Sequence, residues 1–497
     1  MMQTRIMTAP AQKFYITTAI DYVNDRPHLG HALEKIQADV LARYHRLKGG
    51  NVWFLTGTDE HGAKIVRSAE ARGQSPEELA SENAAKFQAL KQTLNLSWDD
   101  FIRTSDRNRH WPGATELWQR LASAGDIYKK SYRGLYCVGH EAFVTEKDLA
   151  DGKCRDHQTR PEVVSEENWF FRLSRHADAI LRRIDSDELR ILPASRKNEI
   201  LVFIRGGLAD VSFSRPRKDL DWGIPVPGDE TQTMYVWCDA LANYITAIGF
   251  GRQDKEFLRW WPADLHVIGK DILRFHAVIW PGMLLSAGLP LPKEIFVHGH
   301  ISVDGQKMSK TVGNVIDPVE LVKRYGTDPV RYYLLREIPA HEDGDFSIAK
   351  FEERYNGDLA NGLGNLVARV ASLGEKVSPV AFNFPKDLLP NVRDAIHATF
   401  QNYEQAIVEI RLHAALAEVW RLIAFTDRYI NAAAPWAVSD PDEFKRIITN
   451  AAYLVSTIAN LIRPFLPETA EKIQELIRFE DSALHIRKGP NLFPRLG

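Results

Sequence analysis

The first sixty residues of the chain alternate between strand-like and helix-like patterns of apolar residues. Residues 13–20 (KFYITTAI) are β-branched and aromatic, as in a buried strand, and residues 51–56 (NVWFLT) repeat that pattern. Between them, apolar residues recur with a helical period that stops at Gly49 and Gly50. These positions are Leu29, Leu33, Ile36, Val40, Leu41, Tyr44 and Leu47. A strand, a helix and a second strand predict a parallel sheet with a right-handed crossover.

The sheet pattern fades near Asp126 and resumes about one hundred residues later. The segment between is rich in charged residues, cysteine and histidine, and strand-like runs return at 234–237, 265–269 and 295–298. These runs predict an α/β fold, with one Rossmann-type parallel sheet interrupted by an inserted domain.

From about Ile348 onward nearly every segment has helical periodicity, which predicts an all-α helical bundle. The expected organisation has five parts in chain order. They are a first half of the sheet domain (1–127), an inserted domain (128–229), a second half of the sheet domain (230–300), a region with a lysine-bearing loop (301–350) and a helical domain (351–497).

The composition is that of an ordinary globular protein. Lys and Arg number 63 against 65 Asp and Glu in 497 residues, so any nucleic-acid contact must be a local basic patch. Three cysteines are too few for a disulfide framework, and the amino-terminal residues lack the apolar run of a secretory signal. We therefore expect a cytoplasmic protein without a membrane span.

The loop after the first predicted strand reads NDRPHLGH and carries two histidines, His28 and His31, around Gly30. Ligands bind beyond the carboxyl ends of parallel strands, and this loop lies there. Gly30 permits close backbone approach, and imidazoles donate hydrogen bonds to phosphate. Two interpretations stay open at this point: a phosphate site built from histidine, or two histidines that cap the following helix.

A second loop, DGQKMSKT, follows the last predicted strand. Asp304 and Gly305 indicate a tight turn that carries Lys307 and Lys310 beyond it. Two lysines there can meet the charge that develops on a leaving pyrophosphate, although lysine pairs at this spacing are usually solvated. The coincidence with HLGH on the same predicted sheet favours the functional interpretation.

HLGH together with KMSKT resembles the paired signature of the class I aminoacyl-tRNA synthetases. Further segments resemble the methionine-specific family within that class, the methionyl-tRNA synthetases, over nearly the whole chain. They are ITTAIDYVNDRPHLGHALEKIQADVLARY, TGTDEHG, YVWCDALANY, HVIGKDILRFH, FVHGHISVDGQKMSKT, GTDPVRYYLLRE and APW.

The resemblance implies a nucleotide site and a methionine site. His28 and His31 would hold the phosphates of ATP, Asp271 the ribose, and Lys307 and Lys310 the departing pyrophosphate, with Gly30 and Gly269 as further ATP-binding positions. His28, His31, Lys307 and Lys310 form the implied catalytic set. Asp59 would bind the methionine ammonium group. The implied thioether pocket consists of Ile20, Tyr22, Trp237, Ala240, Leu241, Tyr244 and His298. Aromatic rings contact sulfur favourably, which suits this set, although core packing alone would also explain Trp237 and Tyr244.

Three residues depart from the pattern of the family. Thr311 stands where serine is usual and keeps the hydroxyl. Leu241 and Asp21 each replace a proline that some relatives carry. We expect a different pocket wall at Leu241 and a different loop stiffness at Asp21.

The inserted domain contains two CxxH segments, Cys137 with His140 and Cys154 with His157. Two thiolates and two imidazoles suit tetrahedral zinc, and a loop held only by packing is the alternative. The family often carries a cysteine-rich knuckle here, so the resemblance implies one structural Zn²⁺.

In the helical region, Asn365, Arg369 and Trp436 match positions by which the family reads the CAU anticodon. Asn365 and Arg369 are four residues apart and share a helix face, and Trp436 offers a stacking surface. Helix packing would also explain any one of them.

The resemblance therefore implies an ATP- and Mg²⁺-dependent ligase that charges tRNA(Met), through its acceptor end and its anticodon, for the initiation and elongation of protein synthesis. One alternative is a cysteine-activating relative, which would place a zinc-binding cysteine set at its amino-acid site. Another is an RNA-binding protein that kept the fold and lost activity, which would predict a damaged HLGH or KMSKT. Because the chain stops just after the helical region, without the dimerisation domain of some relatives, we expect a monomer.

Overall fold

The computed structural model of the chain describes residues 12–139, 142–144, 146–155, 158–308, 313–382, 386–480 and 483–497. His140, His157, Lys310 and Thr311, which the sequence predictions named, lie outside these ranges. The first part of the fold contains β1 (Lys13–Thr18), β2 (Asp21–Tyr22), α1 (Leu29–Leu47), β3 (Asn51–Asp59), α2 (Ala63–Glu70), α3 (Pro76–Thr93), β4 (Asp100–Arg103) and α4 (Trp111–Ser123). The predicted strand, helix and strand unit is thus confirmed.

Short strands dominate the segment that follows. It contains β5 (Ile127–Cys137), β6 (Ala142–Val144), β7 (Leu149–Ala150), β8 (Lys153–Cys154), β9 (Glu162–Phe171), α5 (Ala177–Asp185), β10 (Arg190–Leu192), α6 (Ala194–Arg205), β11 (Val211–Ser212), β12 (Ser214–Pro216), β13 (Pro225–Val226) and β14 (Asp229–Met234). The long strands β5 and β9 pair antiparallel through ten registered positions and form the body of the insertion.

The chain then returns to the central sheet. This part contains α7 (Val236–Leu241), α8 (Asn243–Thr246), α9 (Asp254–Trp260), β15 (Leu265–Gly269), a π-helical turn (Phe275–Ile279), α10 (Trp280–Ser286), β16 (Glu294–His298), β17 (Ile301–Val303) and β18 (Gln306–Lys307). The prediction of a strand at 234–237 is wrong. Its strand ends at Met234, and Val236 begins helix α7, because four alternating residues do not distinguish a strand from one buried helical turn.

The remainder is mainly helical. It contains α11 (Pro318–Tyr325), α12 (Thr327–Arg336), β19 (Gly344–Phe346), α13 (Ile348–Arg354), a π-helical segment (Tyr355–Gly364), α14 (Asn365–Gly374), β20 (Val380–Ala381), α15 (Pro390–Val408), α16 (Leu412–Ala433), α17 (Pro441–Ile462), α18 (Pro467–Leu476), β21 (Ile477–Glu480) and β22 (Ala483–Ile486). The helical prediction from Ile348 is confirmed, with one correction: β20, β22 and β21 form a small sheet against the helices.

The central sheet has seven strands. Six follow the order β10-β16-β15-β1-β3-β2, and the seventh, β4, also pairs with β3. Every pairing in it is parallel, so the carboxyl ends of its strands share one edge. Strand β10 lies inside the segment that was predicted to be a separate insertion, 128–229. Within that segment, the three residues Arg190–Leu192 pair with β16 of the central sheet. A strand of three residues is too short to be recognised from the periodicity of its apolar residues.

Two hydrophobic cores cover the two faces of the sheet. One contains the buried face of α1, including Leu33 and Ile36, and continues without interruption through α12 into the carboxyl-terminal helices. The other packs α4, α7, α8 and α10 against the opposite face, with Tyr244 and Trp280 at its centre. No helix in the described ranges is long and apolar enough to span a membrane.

Candidate active site

The two histidines of HLGH form a reciprocal cap at the start of α1. The backbone N–H of Gly30 donates to Nδ1 of His28 over 3.1 Å, and the backbone N–H of His28 donates to Nδ1 of His31 over 3.1 Å. The two rings stack with centroids 3.8 Å apart. A Cβ on Gly30 would lie 3.0 Å from the His28 ring, so a larger residue would crowd this ring. The helix cap considered for these residues is therefore present.

Both imidazoles are neutral at physiological pH. Burial lowers the pKa of His28 to about 4. Burial, aided by the neighbouring His28 and Lys35, lowers the pKa of His31 well below its usual value. Since each Nδ1 accepts a hydrogen bond, each proton resides on Nε2. The pair thus presents two Nε2–H donors while its Nδ1 atoms hold the helix terminus.

A buried ion pair lies one turn beyond His31. Lys35 is fully buried, and its Nζ is 2.5 Å from Oδ2 of Asp21. This contact joins β2 to α1, and burial raises the pKa of Asp21 to about 7 although Lys35 opposes the shift. The Oδ1 atom of Asp21 is 4.0 Å from Nε2 of His31.

The residues on either side of the undescribed segment 309–312 approach HLGH. Lys307 ends β18 and is exposed. A Cβ on Gly30 would lie 3.9 Å from Cε of Met308, which places Met308 against the HLGH turn. On the other side of the segment, the carbonyl of Ile316 accepts a hydrogen bond from the backbone N–H of Leu29 over 3.1 Å. Met308 and Ile316 therefore lie beside HLGH.

The carboxyl ends of β15 and β16 supply the other expected nucleotide residues. Gly269 is the register partner of His298, and a Cβ on Gly269 would lie 2.7 Å from Oδ1 of Asp271. Asp271 is exposed, with Oδ1 3.4 Å from Nε2 of His300. The Asp271 carboxylate thus lies beyond the carboxyl end of β15, next to Gly269, which has no side chain.

Asp59 and Tyr22 are register partners at the ends of β3 and β2. Asp59 is buried, 6% exposed, as the last residue of its strand. Ile20 and Tyr22 are partly buried against the core that contains Leu241 and Tyr244. Asp59 and Tyr22 therefore lie side by side at the carboxyl-terminal edge of the sheet.

The aromatic side of this region comes from α7, α8 and the π-helical turn. The Trp237 ring stacks on Phe275 with centroids 3.8 Å apart and planes inclined by 10°. The hydroxyl of Tyr244 lies 2.7 Å from Nε2 of His276, and Nδ1 of His276 is 2.9 Å from the carbonyl of Ile272. Ala240 and Leu241 are buried between them along the chain. A single rigid aromatic group results.

His298, also predicted for the methionine pocket, is buried at the end of β16. Its Nε2 is 3.1 Å from Oε2 of Glu34, and its Nδ1 donates to the carbonyl of Gly299. In the described part of the chain, the rings beside Tyr244 are those of His266, His276 and Trp280. The sequence prediction missed Phe275 and His276, although the segment HVIGKDILRFH contains both.

The two cysteines of the insertion share one small apolar cluster. Cys137 and Cys154 are 1% and 0% exposed and pack with Val144. The backbone N–H of Gln158 donates to the carbonyl of Cys154. The structure thus brings together the two thiols of the predicted zinc set, and the described residues contain no group of three or more His, Cys, Asp or Glu that could hold a metal ion.

The residues expected to read an anticodon lie on α14 and just after α16. Asn365 is exposed at the first position of α14, one turn before Arg369. Arg369 is bonded to Asp427 and Asn431 on α16. After α16, Ala434 has a left-handed conformation (φ 40°) and turns the chain into Trp436, which is 60% exposed. An exposed indole therefore follows the helix that carries the partners of Arg369.

Comparison with known proteins gives one consistent result. The family model of class I tRNA synthetases (M) matches residues 14–155 and 144–371, and the model of the anticodon-binding domain of methionyl-tRNA ligase matches residues 388–490. The chain is 45% identical to the methionine–tRNA ligase of Brucella suis, over 94% of this chain and 92% of that protein. It is 42% identical to that of Thermotoga maritima, over 94% of this chain and 76% of that protein.

Solved structures agree. The Mycobacterium tuberculosis methionyl-tRNA synthetase in complex with methionyl-adenylate superimposes with a TM-score of 0.91 at 39% identity, covering 97% of this chain and all (100%) of that one. The free form of that enzyme gives a TM-score of 0.85 at 36% identity, covering 99% of each chain. With HLGH, the parallel sheet and the carboxyl-terminal helical region all in place, the chain belongs to the methionyl-tRNA synthetases of class I.

Proposed function

We propose that this chain activates L-methionine with ATP and transfers the methionyl group to the 3′-terminal adenosine of tRNA(Met), for both the initiation and the elongation of protein synthesis. Membership of the methionyl-tRNA synthetase family over most of the chain carries this proposal. An intact HLGH segment whose imidazoles keep their Nε2–H donors supports it further.

The reaction has two steps. A carboxylate oxygen of methionine attacks the α-phosphorus of ATP, and the bond to the bridging oxygen of pyrophosphate breaks. A ribose hydroxyl of the terminal adenosine then attacks the carbonyl carbon of methionyl-adenylate, and AMP leaves. Neither step needs a covalent enzyme nucleophile, so catalysis rests on positioning and on stabilisation of phosphate charge.

For the nucleotide, we assign the phosphates to Nε2–H of His28 and His31, with Gly30 as the point of backbone approach. Neutral imidazoles suit this role because they stay donors over a wide pH range. Asp271 and Gly269 would hold the ribose, and Lys307 and Lys310 would meet the departing pyrophosphate. Mg²⁺ prefers phosphate oxygens and water as ligands and would enter with ATP.

For methionine, we assign the ammonium group to Asp59 and the thioether to the surrounding apolar residues. They are Ile20, Tyr22, Trp237, Ala240, Leu241, Tyr244 and His298. We add His276 to this set, because its Nε2 lies 2.7 Å from the Tyr244 hydroxyl. Such a pocket provides aromatic contacts to sulfur and one charged partner for the ammonium.

We assign anticodon recognition to Asn365, Arg369 and Trp436, and one structural Zn²⁺ to Cys137, His140, Cys154 and His157. Zinc would fix the two knuckles of the insertion relative to each other. Action in the cytoplasm as a monomer, without a membrane partner, completes the proposal. Sedimentation of the purified protein tests the monomer.

Methionine-dependent exchange of labelled pyrophosphate into ATP tests the central claim. The purified chain should exchange with methionine and not with cysteine, and Asp59→Asn should abolish exchange at ordinary methionine concentrations. Exchange with cysteine alone would favour the cysteine-activating relative. Binding of tRNA without any exchange would favour a protein that kept the fold and lost the activity.

A further inference from the structure

Three buried polar side chains from distant parts of the chain meet beside the proposed methionine pocket. Oδ2 of Asp239 lies 2.5 Å from Nδ1 of His61, and Oδ1 of Asp239 lies 2.6 Å from Nε2 of His110. The three side chains are at most 2% exposed. The proposed chemistry uses none of them.

Their hydrogen bonds have one consistent direction. Burial opposes ionisation of Asp239, but His61 and His110 outweigh it and hold the pKa of the carboxyl below its usual value. The carboxylate therefore accepts from Nδ1–H of His61 and from Nε2–H of His110. The other ring nitrogen of His110 lies 2.8 Å from the Thr246 hydroxyl. A buried carboxylate with two charge-assisted bonds resists displacement, because loss of either partner leaves it under-satisfied.

The positions of these residues along the chain connect the two halves of the pocket. His61 is two residues after Asp59, in the loop that follows β3. Asp239 lies on α7 between Trp237 and Ala240. The bond from His61 to Asp239 therefore joins the loop of the ammonium-binding carboxylate to the helix of the thioether-binding residues.

The loop is also held from its other side. Glu60, fully buried, accepts from Nε and Nη2 of Arg103 over 2.7 and 2.9 Å, and its carbonyl accepts from Nε1 of Trp222 over 2.5 Å. These bonds attach the loop to β4 and to the strand-rich segment before α7. They do not involve α7, whereas the bond of His61 does.

We propose that Asp239 is a positioning residue for methionine recognition: through His61 it sets the separation between Asp59 and the pocket wall on α7. This inference rests on the proposed methionine site. Methionine is recognised at its ammonium group and its thioether at once, so a shift of either contact weakens the other. ATP contacts the HLGH side of the sheet edge and does not depend on this separation.

The test compares His61→Ala with His61→Asn in pyrophosphate exchange. The amide nitrogen of the introduced asparagine can take the place of Nδ1, so His61→Asn should keep near-wild-type kinetics. His61→Ala should raise the KM for methionine by about 10- to 100-fold and leave the KM for ATP within about twofold. Asp239→Ala should behave like His61→Ala. If His61→Ala does not fold, His61→Gln replaces it, because its longer side chain moves the donor away from Oδ2.

Asp126→Ala is the matched control. Asp126 is similarly buried and is bonded to His176 and Ser286. It follows the carboxyl end of α4, whereas His110 precedes the amino end of that helix. This variant should lower the melting temperature without altering the KM for methionine. Equal changes in both KM values for His61→Ala, or no rescue by asparagine, would overturn the positioning role. Absence of methionine-dependent exchange in the wild-type chain would instead overturn the proposed function itself.

Discussion

The backbone N–H of His28 donates a hydrogen bond to Nδ1 of His31 over 3.1 Å, and the two imidazole rings stack. Capping the helix and contacting phosphate are therefore compatible roles for these histidines. One nitrogen of each ring serves the helix terminus, and the protonated nitrogen remains for a ligand. The sequence left these roles as alternatives because it does not show which nitrogen is used.

The cap predicts a pH dependence of stability that can be assigned to His28. An unfolded histidine titrates near pH 6.5, whereas burial lowers the pKa of His28 to about 4 in the folded chain. Between these values the unfolded state binds a proton that the folded state does not, so the free energy of unfolding falls as the pH drops through this window. His28→Asn keeps an acceptor at the helix N-cap and removes the titration.

Urea unfolding at about pH 7 and about pH 5 measures this effect, since most of the difference in protonation develops between them. The wild-type chain should lose more stability on acidification than His28→Asn does. An equal loss in both proteins would show that the cap of His28 does not contribute to the acid sensitivity.

A second prediction concerns Trp436, which is 60% exposed at the end of α16. Stacking of one unpaired base on an indole contributes about 1 to 3 kcal/mol. Trp436→Ala should therefore lower kcat/KM for tRNA aminoacylation by about 5- to 150-fold and leave pyrophosphate exchange unchanged. Val408→Ala is the control, because Val408 is 62% exposed in the same helical region. A matching loss in exchange would make Trp436 a structural residue.

The third prediction is that the purified chain carries about one zinc ion, as two thiolates and two imidazoles complete a tetrahedral set. Metal analysis after gel filtration should find it in the wild type and in Cys238→Ala. Cys137→Ser should lose it, since a serine hydroxyl is a poor zinc ligand. Retention of zinc by Cys137→Ser would exclude the predicted ligands.

The fourth prediction concerns a buried ion pair between the HLGH helix and the carboxyl-terminal helices. Nη2 of Arg331 lies 2.8 Å from Oδ2 of Asp39 on α1, and its guanidinium also donates to the carbonyls of Pro464 and Phe465 beyond α17. Both side chains are fully buried. Arg331→Met leaves Asp39 with Arg43 as its remaining cation and removes the donor of the Pro464 and Phe465 carbonyls, so it should lower the free energy of unfolding by about 3 to 5 kcal/mol.

A surface pair between the same two regions provides the control. Nζ of Lys48 lies 2.5 Å from Oε1 of Glu404, but the two side chains are 53% and 46% exposed. Lys48→Met should change the unfolding free energy by less than about 1 kcal/mol in the same denaturation experiment. If Lys48→Met and Arg331→Met lower the free energy of unfolding by similar amounts, burial does not determine how much each ion pair contributes to stability.

Several features follow from the sequence alone because they depend on neighbouring residues. Helix α1 begins at Leu29 and ends before Gly49, as its apolar period and its glycines predict. Strands β15 and β16 appear where short β-branched runs predicted them. The signature segments identified the family without any knowledge of their contacts. Local propensity and a specific motif were sufficient for these conclusions.

Other features were decided only by the tertiary structure. Strand β10 joins the central sheet beside β16 although about one hundred residues separate them, and nothing in Arg190–Leu192 announces that pairing. His276 lies beside Tyr244, with its Nε2 2.7 Å from the Tyr244 hydroxyl, although 32 residues separate the two in the chain. Asp239 meets His61 and His110 across gaps of 178 and 129 residues. Such contacts depend on how the helices and loops pack against the sheet. The pattern of residues along the sequence does not show which distant residues this packing brings together.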